Sequence, residues 1–406
     1  MVGNPTIKEK TQELSSLLEL KREDIIEVLL EYESYTTAID ELERSLKCLH
    51  NIDSELEYLT YGKVDTISAF FPLNLPLYST ILFGVVPGFM ANKIYIRPPL
   101  LMRGVLRKIH SLLHLKNVLP DMKIIELERH LFLDGYASIS DVILFTGRYE
   151  NAKAVEESCM APLFIFNGAG INPVVITKSA DIELATQKTM EMRLFNSGQD
   201  CAGPDAILVD QRVLSEFMGT LLKKLATVKI GSYLDKKVQV GRLIDSKHVL
   251  FIGKILSGLR EKIIYGGAVN YKDSIVYPTV ILDTLEDGSL NYQEFFAPVF
   301  YVLPFTNMGK LDSYFLAEEY VDNAMYVSVF GGSPEYTSHI KGSVILKDKI
   351  INDVEEGNKP YGGYGERANF VASNGKMTHS PILISRTLCN HLKSLPLNKT
   401  AVSERS

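Results

Sequence analysis

Four short segments hold the residue types that covalent and nucleotide chemistry needs. The run FNSGQDCAGPDAILVD, residues 195–210, sets Cys201 in a glycine-rich turn between a helical stretch and an apolar strand. Gly198 and Gly203 let backbone approach a ligand, and Asn196 and Gln199 add polar groups. Such a turn suits a nucleophilic cysteine, which needs a partly open place with N–H groups aimed at it. Taken alone, a cysteine in a glycine-rich turn is more often structural than reactive. In FFPLNLPLYS, Asn74 lies between two prolines whose fixed φ would aim its amide, as an oxyanion donor requires. The plainer reading is an asparagine that satisfies turn backbone. In DVILFTGRYENAKAV a strand runs through Gly147 and Arg148 into a helix, so a helix N-terminus and a guanidinium meet where a pyrophosphate could sit. No GxGxxG fingerprint accompanies it. In NYQEFFAPVFYVLPF, Glu294 could hold ribose hydroxyls and Phe296 could pack on a ring, or both could belong to a plain loop entering a strand.

Other features narrow the classes. His110 and His114 in HSLLH have the i, i+4 spacing of a zinc pair, but the Glu of HExxH is missing and no third ligand is evident, so no metal site is expected. Cys48, Cys159, Cys201 and Cys389 are widely spaced without a CxxC, which fits a reducing, cytoplasmic setting better than a disulfide framework. The net charge of −6 over 406 residues carries no basic stripe for nucleic acid. No apolar leader is visible at the N-terminus. The stretch from Thr66 to Asn92 lacks charge and is long enough to span a bilayer, but Pro72, Asn74, Pro76, Gly84, Pro87 and Gly88 interrupt it. A buried strand, a turn and a core helix are expected there, not a membrane span.

The elements that must position these residues follow from periodicity. The first sixty residues read as helix, with Ile39, Leu42, Leu46 and Leu49 on one apolar face. Short apolar runs (KVDTISAFF, NKIYIRP, KIIEL, DVILFTG) then alternate with helical stretches, and the alternation resumes after about residue 170 with PVVIT, AILVD, TVILDT and VFYVLPF. Two successive α/β domains with parallel sheets are expected. The division is 1–170 for N-terminal helices and a Rossmann-like cofactor domain, 171–370 for a catalytic domain, and 371–406 for a C-terminal strand and a disordered tail.

Taken in order, these segments resemble the aldehyde dehydrogenase superfamily. Asn74 in PLN stands where the family has its PWN asparagine, and Arg97 in IYIRPP matches the lysine of KPS. Gly147 and Arg148 match the Gly-Ser that opens the cofactor helix, NSGQDC the cysteine motif, QEFFAP the EEIFGP run, and KPYGGYG the PFGG segment. The resemblance covers most of the chain. It implies an NAD(P)-dependent oxidoreductase in which the Cys201 thiolate attacks an aldehyde, Asn74 and the Cys201 N–H hold the oxyanion, Arg97 and Glu294 hold ribose hydroxyls, and Phe296 lies beside the nicotinamide.

The departures matter equally. Where hydrolytic members carry a general-base Glu, the run FNGAGINP supplies Asn167, and an amide cannot take a proton. Leu100 replaces the acid that follows KPS in NAD-preferring members, so nothing there repels a 2′-phosphate and NADP is at least as suitable as NAD. LERHLFLDGYAS replaces the glycine-bearing loop before the cofactor helix. Three readings follow: an aldehyde dehydrogenase releasing an acid, an acylating enzyme passing an acyl thioester to coenzyme A, and a noncatalytic binding subunit. The partner is a small aldehyde or acyl thioester. The short N-terminus leaves little chain for the family's subunit-bridging hairpin, though SPILISRTL could supply a bridging strand, and a homodimer is expected.

Overall fold

The computed structural model describes residues 6–285, 292–332 and 334–395; the expected disordered tail lies outside them. Three helices open the chain, Ile7–Leu20, Arg22–Leu29 and Tyr35–His50. Thr6 and Glu9 cap the first reciprocally, and Ser34 caps the third by accepting from Thr37 N–H at 3.2 Å. Leu42, Leu46 and Leu49 are buried and Ile39 is half-buried, as their spacing predicts.

The first sheet takes β1 (Val64–Phe70), β2 (Ala91–Arg97), β3 (Met122–Ile124), β4 (Val142–Thr146) and β5 (Leu163–Asn167) in the parallel order β5-β4-β1-β2-β3. Its strands are nearly continuous apolar runs because helices cover both faces. The second sheet is built from β6 (Val174–Ile176), β7 (Ile207–Asp210), β8 (Ile263–Tyr265), β11 (Thr279–Leu282), β12 (Val299–Phe305), β13 (Tyr326–Phe330) and β14 (Val344–Lys347), with a small separate hairpin of β9 (Val269–Asn270) and β10 (Ile275–Val276) between β8 and β11. Its order is β14-β13-β6-β7-β12-β11-β8, parallel except for β8. The chain then returns to the first sheet, where β15 (Asn369–Ser373) pairs antiparallel with β5 and carries β16 (Lys376–Thr378) at the edge. These two α/β sheets are the architecture that the strand–helix alternation predicts.

The charge-free stretch folds as β1, a turn, the helical segment Pro76–Gly88 and the start of β2. No helix among the described residues is long and apolar enough to cross a membrane. The helix Arg103–Leu112 stops before His114, which takes φ 48°, so the two histidines do not share a helical face. No cluster of three metal-ligating side chains occurs among the described residues. The run SPILISRTL makes a single bridge at Ile382 and leads into the helix Ile384–Ser394.

A buried acid pair joins the third helix to the turn before it. Glu33 and Glu41 interact through their buried carboxyl groups, and Glu41 accepts from the Tyr78 N–H at 2.7 Å, which ties this helix to the segment just after Asn74. Burial raises both, Glu41 to about 7 and Glu33 well above its ordinary value. Between the unfolded carboxylate range and about pH 7 the folded chain holds protons that the unfolded chain releases. Stability is therefore fullest at acid pH and declines as pH rises through that window. Glu33→Gln should raise the melting temperature at about pH 8 by several degrees and much less at about pH 5. An equal shift at both pH values would contradict the buried-acid account.

Candidate functional site

In an open parallel sheet the crevice forms where strand order reverses, here between β1 and β4 at their C-terminal ends. The segments leaving those two ends are Phe71–Asn74 and Gly147–Arg148. Leu75 takes φ 49° and Pro76 begins the helix, which turns the chain sharply and fixes Asn74 in a buried place. Gly147 has φ 150°, and its lack of a side chain keeps the crevice open beside Phe145. Arg148 holds the N-cap position of the helix Tyr149–Cys159, and Arg148 and Asn151 of its first turn line the same crevice.

Cys201 reaches this crevice from the other sheet. After the helix Ile182–Leu194, the residues Asn196, Ser197 and Gly198 all take left-handed backbone, with φ 46°, 55° and 80°. A side chain at 198 would come within 2.3 Å of the Ala297 backbone, so only glycine fits. Arg193, fully buried, donates to the carbonyls of Gly198 at 2.7 Å and Pro204 at 3.0 Å, bracing the turn from both sides. Asn172 donates to the Cys201 carbonyl at 2.9 Å, and the Asn74 amide donates to the Gln199 carbonyl at 3.0 Å. The asparagine and the cysteine are therefore locked to one another across the sheet boundary. The Asn74 NH₂ has a second hydrogen for an oxyanion.

Two cavities meet at Cys201, sharing Pro72, Asn74, Thr146, Gly168 and Cys201 as walls. The smaller, about 270 Å³, is lined by Gly147, Arg148, Glu294 and Phe296. The larger, about 540 Å³, is lined by apolar side chains such as Leu75, Leu82, Val86 and Ile382, together with Asn167, Arg44 and Glu355. Phe296 is held in the left-handed region at φ 48° and packs edge-on against His248, a strained arrangement of the kind found at ligand clamps. Glu294 is pushed up to about 7 by burial, with Arg148 and Arg193 pulling it back. Arg97 lies apart from this group. It sits at the end of β2, two strands from β4, beside Arg103 and Arg129, and its buried Nε has no partner.

Burial raises the Cys201 thiol well above its ordinary value, and the neighbouring Asp200 raises it further; the Tyr361 hydroxyl, 3.3 Å from Sγ, pulls the other way. The other three cysteines are buried and free. Asn167 ends β5 on the wall of the larger cavity, its buried Nδ2 without a partner. Arg44 from the third helix binds Asp40 at 2.7 Å and Glu355, which brings a charged cluster onto that wall.

A model of the aldehyde dehydrogenase family matches residues 7–368. The chain belongs to the aldehyde dehydrogenase family. A lactaldehyde dehydrogenase of Methanococcus aeolicus is 28% identical over 258 residues, 61% of this chain and 55% of that relative, so the match spans little more than half of the relative's length. A 4,4'-diaponeurosporen-aldehyde dehydrogenase of Staphylococcus aureus is 24% identical over 88% of this chain and 83% of its own. Among solved structures, a glyceraldehyde-3-phosphate dehydrogenase of Methanocaldococcus jannaschii complexed with NADP superposes with a TM-score of 0.78 at 17% identity, covering 96% of this chain and 88% of that one. The fold is that of the aldehyde dehydrogenases.

In this family member, the residues singled out by sequence fall into two places. Asn74, Gly147, Arg148, Cys201, Glu294 and Phe296 surround the meeting point of the cavities, while Arg97 heads a separate arginine group. Sequence reading missed Arg193, Asn172, Tyr361 and Arg129. Arg193 and Asn172 act on backbone carbonyls, for which no motif exists. Tyr361 was visible only as a hydroxyl added to a PFGG-like run.

The raised Glu294 has a measurable consequence. A carboxylate accepts hydroxyls better than a neutral carboxyl, so, on the expectation that Glu294 holds the ribose, nicotinamide cofactor should bind about fivefold or more tightly above pH 7 than below it. Glu294→Gln should flatten that profile in a fluorescence titration with the reduced cofactor. A wild-type profile without a rise near pH 7 would remove Glu294 from the ribose site.

Proposed function

We propose that the chain oxidises a neutral, largely apolar aldehyde with NADP or NAD through a thioester on Cys201, the first sheet binding cofactor and the second carrying the nucleophile. The observation that carries this reading is the position of Cys201 where a cavity edged by a helix N-terminus, Arg148 and Glu294 meets an apolar one. A nicotinamide cofactor fits the first side: Gly147 leaves backbone open, Arg148 and the helix amides suit pyrophosphate, and the buried Arg97 Nε has no partner of its own. Arg97, Arg103 and Arg129 together suit a 2′-phosphate, and Arg129 grips Asn151 on the cavity wall, which favours NADP.

On the other side the apolar lining suits a hydrocarbon chain. The charged groups on the same wall nearly balance, Glu55, Asp200, Glu355 and Glu356 against Arg44, Lys359 and Arg386, which suits a neutral substrate. The Staphylococcus aureus relative, by its name a 4,4'-diaponeurosporen-aldehyde dehydrogenase, is in keeping with an aldehyde substrate.

Asn74 and the Cys201 N–H hold the oxyanion when sulfur attacks the carbonyl carbon, a contribution of about 3–4 kcal/mol per donor. A bound nicotinamide would supply the acceptor for the hydride that leaves that carbon. Asn167 orients but takes no proton. Glu355, raised by burial and steadied by Arg44, is the carboxylate available to activate water for release of the acid. An amide at 167 equally favours a second reading, in which coenzyme A, needing less help than water, removes the acyl group.

The test is turnover of an aldehyde panel with NADP⁺ or NAD⁺, with and without coenzyme A. The expected result is steady turnover of apolar aldehydes without coenzyme A, NADP⁺ serving at least as well as NAD⁺. Glu355→Gln should keep a burst equal to the protein concentration while slowing steady turnover about 10²-fold or more. A burst in the wild type released only by coenzyme A would establish the second reading. No burst and no cofactor binding would leave the chain as a noncatalytic family member.

A further inference from the structure

The nucleophile assigned to Cys201 has an electrostatic problem. Cys201 is half-buried in the cavity wall, and Asp200, Glu294 and Glu355 all act on its sulfur with the sign that opposes a thiolate. A nucleophilic cysteine elsewhere is commonly eased by a cation or a helix N-terminus. Here the group in hydrogen-bond contact with Sγ is a phenol, the Tyr361 hydroxyl at 3.3 Å.

We propose that Tyr361 is a catalytic residue whose hydroxyl donates to the Cys201 sulfur as the thiolate forms. The inference rests on the reading of Cys201 as nucleophile. The tyrosine is placed for this by its own backbone: its N–H donates to the Ile382 carbonyl at 2.9 Å and its carbonyl accepts from the Ile382 N–H at 2.8 Å. The next residue, Gly362, donates its N–H to the Tyr326 hydroxyl at 2.8 Å, and the Tyr326 and Tyr361 rings lie 5.6 Å apart, so the ring is gripped on two sides. Burial and the surrounding acids keep the Tyr361 phenol protonated, and it therefore remains a donor.

The proton balance is simple. The thiol proton passes to water in the larger cavity, and the sulfur lone pair left behind accepts from the Tyr361 O–H, which keeps its own proton. When sulfur bonds to the carbonyl carbon, the C=O π pair moves to oxygen and the negative charge with it, to Asn74 and the Cys201 N–H. A neutral donor suits this site because it favours the thiolate without attracting Asp200 or Glu355 as a cation would. It also leaves the cavity apolar enough for a hydrocarbon substrate.

Two effects oppose each other, and their magnitudes decide the sign. A hydrogen bond to a charged group moves an ionisation by about one to two pH units, which changes the thiolate fraction about 10- to 100-fold at neutral pH. The same stabilisation lowers nucleophilicity, with a Brønsted coefficient of about 0.4–0.5, which returns about three- to tenfold. The fraction wins while the thiol titrates above neutral pH.

The experiment is alkylation of the protein by iodoacetamide, without cofactor or aldehyde, followed at the Cys201 peptide across pH for the wild type and Tyr361→Phe. The expected result is an alkaline shift of about one to two pH units, with a rate at neutral pH about three- to tenfold lower. The variant's aldehyde turnover should fall in kcat with KM little changed. Phenylalanine keeps the ring contacts, and a thermal melt confirms the fold. A profile moved by less than about 0.3 pH unit would overturn the proposal. Because alkylation requires no aldehyde, a wild type that oxidises nothing while the shift is present would defeat the dehydrogenase reading alone.

Discussion

The buried guanidinium of Arg193 is the constraint on which the site depends. It joins the end of the helix Ile182–Leu194 to the carbonyls of Gly198 and Pro204, on either side of Cys201. Three consecutive left-handed residues are costly, and the non-glycine pair Asn196 and Ser197 persists only because the surroundings over-determine it. The Tyr233 hydroxyl bonds Ser197 at 2.6 Å, and the Gln199 side chain accepts from Ile244 N–H at 2.8 Å, so the turn is held from several directions. A charge removed from water is tolerable here because carbonyl dipoles and Asp205, 3.9 Å away, surround it. With the turn fixed, Gln199 can receive Asn74, and the two sheets then share one site.

The second organising feature is the excess of acid around that site. Asp200, Glu294 and Glu355 all titrate above their ordinary range because burial disfavours their charged forms. Arg44 compensates part of this, and it comes from the third helix, which also reaches the Asn74 turn through Glu41. The N-terminal helices of this short chain thus furnish a cavity wall as well as a cover for the first sheet. Both cavities carry mixed charge, Arg148 with Glu294 on the smaller and Arg44 with Glu355 on the larger.

Much of this was legible in the sequence, for identifiable reasons. Strand–helix alternation gave two α/β sheets because parallel strands buried on both faces are written as continuous apolar runs. Asn74, Cys201 and Glu294 stood out because prolines or glycines flank chemistry-bearing side chains in a fixed order. The return of β15 to the first sheet was not legible, since long-range pairing leaves no local period. SPILISRTL reads as a strand by composition, yet Ile384, Leu388 and Cys389 become buried as one helical face. The resemblance pairs Arg97 with Glu294 on the ribose, and the structure adds that Arg97 stands beside Arg103 and Arg129 at the end of β2. Arg129 lies in the segment that replaced a glycine-bearing loop, so a local loss of motif concealed a change in what the pocket offers.

The most direct measurement is the mass of the Cys201 peptide after rapid acid quench of the protein with an apolar aldehyde and oxidised cofactor. The account predicts one acyl group on that peptide per chain, appearing with the burst of reduced cofactor and absent when the cofactor is omitted. Reduced cofactor accumulating while the peptide remains unmodified, or an acyl group on another residue, would contradict it.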